Sequence, residues 1–67
     1  MPISDAEVDE YVLTLLRHFL DRLSEWEDGF VRSLQIQRER GRIVTDKQRK
    51  CLNDIVERVA RQHGGTR

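Results

Sequence analysis

The chain has 67 residues, of which 37% are hydrophobic and 36% charged, and its twelve Lys and Arg balance twelve Asp and Glu. That is room for one small domain, spanning 1–67, with a modest core and nothing more. The composition excludes a disordered chain, no apolar run is long enough to span a membrane, no signal-peptide pattern opens the chain, and a cytoplasmic protein is expected.

The balance of charge is uneven along the chain. Residues 1–28 carry eight acids against two bases, and residues 29–67 carry ten bases against four acids. The formal charge is therefore about −6 in one part and about +6 in the other. Cys51 is the single cysteine, so no internal disulfide can form. Only His18 and His63 could join it around a metal, and neither lies at ligand spacing, so no zinc centre or other cofactor is expected.

Three capping boxes announce three helices: Ser4 with Glu7, Ser24 with Glu27, and Thr45 with Gln48. The first helix is predicted from about residue 5 to about 23. Val8, Tyr11, Val12, Leu15, Leu16, Phe19, Leu20 and Leu23 recur at steps of three or four and form one stripe, with Ile3 and Val8 as a hydrophobic staple and Leu13 off the stripe.

The second helix is predicted over 25–40. Trp26, Phe30 and Leu34 read as its inward face with Ser33 beside them, Gln37 is a further candidate, and Val31 and Ile36 are off-centre. Trp26 is expected in the core, since tryptophan is usually well buried. Gly29 costs roughly 1 kcal/mol inside a helix, and its small size suggests close approach of a neighbour. Gly41 follows as the left-handed residue that ends a helix. Ile43 and Val44 are expected to tuck under the turn.

The third helix is predicted over 46–62, with Cys51, Leu52, Ile55, Val56 and Val59 inward. Gly64 and Gly65 stop it, and Thr66–Arg67 are expected to fray. The fold class is all-α, either a three-helix bundle or a helical hairpin with an N-terminal helix.

No residue set suggests catalysis, so a non-enzymatic chain is expected. Serines, histidines and acids occur, but none at the spacing of a nucleophile with its base, and there is no glycine-rich phosphate loop. Glu25, Glu27 and Asp28 crowd the start of the second helix, where the helix dipole favours acids. His18 reads as a boundary residue and His63 as a helix-end residue.

The segment RERGRIVTDKQRK, residues 38–50, is the most informative. It holds Arg38, Arg40, Arg42, Lys47, Arg49 and Lys50 against Glu39 and Asp46. A turn at Gly41 brings two helix ends together, so these bases and the backbone N–H groups opening the third helix are candidates for contact with phosphates. The plainer alternative is a solvated face with bases favouring the end of the second helix. A helix-turn-helix reading, with Lys47, Gln48, Arg49 and Lys50 leading a recognition helix, fits poorly because the second helix is long.

Residues Trp26, Glu27, Phe30, Ser33 and Leu34, then Gly41, Thr45, Lys47, Gln48, Leu52, Ile55 and Arg58, form a pattern. It resembles a small helical module of phage and bacterial DNA-replication and recombination proteins, such as the accessory domain found with phage UvsW-type recombination helicases. The resemblance covers about 35 residues and leaves the first helix unexplained. It implies a non-catalytic module whose partner is DNA or a DNA-processing protein. The rival expectation is a protein-interaction module or small regulator, possible as a homodimer, in which the apolar and acidic first helix makes contact and Leu13, Val31 and Ile36 extend an exposed patch.

Overall fold

The computed structural model describes residues 3–64. Among them the chain is all-α, without a strand: α1 (Asp5–His18), a 3-10 turn (Leu20–Arg22), α2 (Glu25–Glu39) and α3 (Asp46–Gly64). α2 runs against both of the others. Its last turn, at Arg38, meets Asp5 and Asp9 at the start of α1, and Glu27 and Gln37 meet Arg58 and Gln48 of α3 in reverse order. The result is an up-down-up three-helix arrangement of 40 × 25 × 17 Å.

All three helices start as their sequences dictate. Ser4 Oγ accepts the Glu7 N–H at 3.2 Å while Glu7 Oε1 accepts the Ser4 N–H at 2.9 Å. Ser24 and Glu27 repeat this at 3.1 and 2.9 Å, and Thr45 and Gln48 at 3.1 and 2.9 Å. Each box satisfies two backbone donors that the helix itself cannot. Gln48 does more: its amide pairs with that of Gln37, which also donates to the Ile43 carbonyl at 2.9 Å. One side chain thus caps α3 and ties it to α2.

Gly41 ends α2 in the left-handed region, with φ of 72°. Its N–H donates to the Arg38 carbonyl at 3.1 Å, and the Arg42 N–H to the Gln37 carbonyl at 2.9 Å. This is the paired bonding of a Schellman motif, which consumes two carbonyls at the helix end.

The core consists of Val8, Val12 and Leu15 of α1, Val31 and Leu34 of α2, Val44 of the connection, and Leu52, Ile55 and Val59 of α3. Ile3, Tyr11, Leu16, Phe19, Leu23, Phe30, Cys51 and Val56 pack around it, partly buried. The inward faces expected for the first and third helices are therefore found.

Several expectations are corrected. The first helix stops at His18, not near residue 23. Phe19 takes φ −130° as its C-cap and a 3-10 turn carries the chain to Leu23, which is extended. The antiparallel return of α2 and the extended Ser24 of its capping box both require this break. Leu20, counted in the stripe, is left 40% exposed. The inward residues of α2 are Val31 and Leu34, whereas Trp26 is 65% exposed. Val31 is fully buried and extends no surface patch. Ile43 is 84% exposed while its neighbour Val44 is buried. The Ile43 backbone carbonyl accepts from Gln37 Nε2 at 2.9 Å, while its side chain faces solvent and the next residue, Val44, takes the place in the core. Gly29 admits no close neighbour, since a Cβ there would meet nothing within 4 Å. α3 continues to Gly64, two residues further than expected. The stop at Gly65 and the fraying of Thr66–Arg67 lie outside the described residues, as does the side chain of His63.

Candidate functional site

The six bases of residues 38–50 do not share one role. Arg38 grips Asp9 with both arms of its guanidinium, Nε to Oδ1 at 2.8 Å and Nη2 to Oδ2 at 3.1 Å, and lies 3.5 Å from Asp5. Arg49 is further enclosed. Its Nε donates to the Val44 carbonyl at 3.1 Å, Nη1 to the Ile3 carbonyl at 3.0 Å, and Nη2 to Asp5. Only 13% of its side chain is exposed. Lys50 lies 3.7 Å from Asp54 on the same helix, with both side chains well exposed. Arg40, Arg42 and Lys47 are exposed and form no ion pair among the described residues.

The charge asymmetry of the sequence is thus spent largely within the fold. The acidic start of α1 takes up Arg38 and Arg49, and Glu27 takes up Arg58, whose Nη2 also donates to the Arg22 carbonyl at 3.3 Å. The hydrogen bond from Arg49 holds the Asp5 carboxyl below the usual aspartate value of 3.8, and the bond from Arg38 does the same for Asp9. Arg38 is pushed up in return, chiefly by its hydrogen bond to Asp9. Three bases remain around the Gly41 turn, interleaved with Glu39 and Asp46. That leaves the corner with three exposed bases that form no ion pair among the described residues and two acids beside them.

Along the seam of α1 and α3 lies a groove of about 320 Å³. Leu15 and Val59 form its floor, and Tyr11, Phe19, Val56 and Ala60 its walls, with Glu10 and Thr14 on the α1 rim. Among the described residues, the one ion pair that joins α1 to α3 is Asp5–Arg49, at the N-terminal end, so no salt bridge closes the seam beside Tyr11. The hollow between α1 and α2 differs. Its volume is about 330 Å³, it includes Val12, Leu13 and Gln35, and the Asp9–Arg38 pair lines it.

The groove arises from the breadth of the apolar stripe on α1. Val8, Val12 and Leu15 are covered by the core, while Tyr11 stands on the edge of the same stripe and is only half-buried. Val56 answers it from α3 in the same state. Sequence reasoning assigned both simply to the interior. The signal that could have revealed the groove was a stripe of eight positions, wider than a single neighbouring helix covers.

Trp26 forms a second apolar surface. It stacks on Phe30 with ring centroids 5.2 Å apart and an interplanar angle of 7°. The pair lies in the first turns of α2 beside Glu25, Glu27 and Asp28, about 21 Å along the helix from Arg40. It is therefore not an aromatic platform among the bases of the turn. Burial raises the thiol pKa of Cys51, the reverse of what an activated nucleophile needs. Among the described residues no cluster of His, Cys, Asp or Glu is arranged to hold a metal ion, and no helix is long and apolar enough to cross a membrane.

No protein-family model matches the chain, and no curated protein or solved structure matches it.

Proposed function

We propose that this chain is a non-catalytic protein-interaction module that receives an apolar helix in the groove between α1 and α3. The observation that carries the reading is the groove itself. It presents apolar walls at Tyr11, Val56 and Ala60 with a charged and polar rim, the setting in which an amphipathic helix buries its face. The partial neutralisation of residues 38–50 by α1 supports the same reading, because it removes Arg38 and Arg49 from the set available to phosphates.

Photo-crosslinking in cells tests the proposal. A photoreactive residue at Ala60 is expected to give discrete adducts with a polypeptide, and the same residue at Lys47 to give none. Adducts with nucleic acid at Lys47, with none at Ala60, would overturn it.

A second reading retains a specific observation. Arg40, Arg42 and Lys47 are exposed around one turn and carry no ion pair among the described residues. Together with the resemblance to modules of DNA-replication and recombination proteins, this supports a nucleic-acid-associated module acting beside a helicase or another DNA-processing protein. Three phosphate contacts give a slope of about −2.7 in log K against log salt on duplex DNA, or about −2.1 on a single strand. Binding that is absent at low salt, or flat against salt, removes this reading.

A further inference from the structure

We infer that the occupant of the α1/α3 groove is a second copy of this chain, packed across a two-fold axis with the two α1 helices antiparallel; this rests on the protein-interaction reading above. Two charges of α1 carry the argument. Glu10 lines the rim of the groove, and Arg17, in the last turn, lies seven residues on and so shares Glu10's side of the helix. Thr14 lies between them on the rim. A two-fold axis beside Thr14 sets Glu10 of each copy opposite Arg17 of the other. A parallel arrangement would set like charges together. Antiparallel helices also align their dipoles favourably.

Both residues are available for this. Glu10 and Arg17 are exposed, and their side chains form no ion pair or hydrogen bond among the described residues. The other acids along α1 are engaged: Asp5 and Asp9 hold arginines of α2 and α3, and Glu7 closes a capping box. The walls that the pairing covers are Tyr11 and Val56, each half-buried within one copy, and Ala60, which is exposed.

The size of the chain points the same way. Among the described residues nine buried side chains make up its core. Domains of this length bury a smaller fraction of their surface than larger ones do and often gain stability by association. The accessible surface is 4868 Å². A standard interface of about 800 Å² per partner is within its reach.

Sedimentation across a concentration series, on the full chain and on charge-reversed variants, tests the inference. The unaltered chain is expected to run as a dimer. Glu10→Arg and Arg17→Glu should each weaken dimerisation at least tenfold, and the double variant should restore it, because the reversed charges again face each other. Glu39→Arg, on the α1/α2 side, should leave it unchanged, and far-UV circular dichroism confirms that each variant folds. A strict monomer at all concentrations overturns the inference, as does a double variant no better than the singles. If the chain is monomeric while Ala60 still crosslinks to another polypeptide, the second-copy inference falls and the interaction module stands. If Ala60 captures no polypeptide, neither another protein nor a second copy, both fall.

Discussion

Gly29 and Gly41 should respond in opposite directions to the same substitution. At both, a Cβ would meet nothing within 4 Å, so neither is held as glycine by crowding. They differ in backbone. Gly29 lies within α2, where glycine costs about 0.8–1.0 kcal/mol relative to alanine. Gly41 has φ of 72°, where an L side chain costs about 1–2 kcal/mol. Gly29→Ala should therefore stabilise the chain by about 0.8 kcal/mol, and Gly41→Ala should destabilise it by about 1 kcal/mol. In a domain of this size about 1 kcal/mol shifts the melting temperature by roughly 4–8 °C. Thermal unfolding followed by far-UV circular dichroism should separate the two variants by more than about 7 °C. A shift of the same sign in both would refute the reasoning, since the backbone angle is the one feature that distinguishes the sites.

Other expectations follow from the polar ties between helices. Arg49→Met should destabilise the chain by about 2 kcal/mol in urea, because the two carbonyl bonds to Ile3 and Val44 are charge-assisted and mostly enclosed; Arg49→Lys should fare little better, as one ammonium cannot reproduce the planar fork. Ser24→Ala should cost about 1 kcal/mol through loss of the α2 cap. The Asp5 and Asp9 carboxyls have folded pKa values below the ordinary 3.8, so their contribution is complete above that value and is lost as pH falls through the folded values. The Asp5→Asn/Asp9→Asn chain should therefore show a shallower loss of stability below about pH 4 than the unaltered chain, measured by chemical unfolding at stepped pH. The Cys51 thiol, raised by burial, should react with a neutral alkylating reagent more slowly than a free cysteine at pH 7.5 does, and unfolding should remove the difference.

Local chemistry was the most legible part of the sequence. A capping box needs only two residues three apart, and all three formed. Gly41 was readable because it followed the last periodic residue of α2 and preceded a new cap. The inward faces of α1 and α3 were legible for a similar reason, since each has enough apolar residues to define its own direction. α2 does not. Its apolar side chains point around the helix, and Trp26, Phe30 and Leu34, at steps of four, read as an inward face that leaves Val31 off-centre. The deciding information lay elsewhere in the chain. Val31 packs among Val8, Val12, Leu52 and the rest of the core contributed by α1 and α3, and the Asp9–Arg38, Glu27–Arg58 and Gln37–Gln48 ties match the rotation that leaves Trp26 outside.

The basic segment illustrates the same limit. Arg38 and Arg49 cannot be told from Arg40 and Arg42 by spacing or composition. They differ in whether the acidic start of α1 reaches them, which is a property of the packed helices. The twelve positions of the pattern from Trp26 to Arg58 also sort by packing. Leu34, Leu52 and Ile55 are core, Gly41, Thr45 and Gln48 shape helix ends, and Glu27 pairs with Arg58. Trp26 and Lys47 are left to the surface, so most of the pattern is a signature of this helical fold and carries little information on a ligand.

Residue-resolved amide and methyl chemical shifts, followed as protein concentration is raised and then as DNA is added at low salt, test most directly where this molecule makes its contacts. The account predicts that shifts concentrate at Tyr11, Thr14, Val56 and Ala60 as concentration rises, and that Arg40, Arg42 and Lys47 stay put on addition of DNA. Shifts confined to residues 40–47 in the presence of DNA, with the α1/α3 seam unmoved at every concentration, would contradict it.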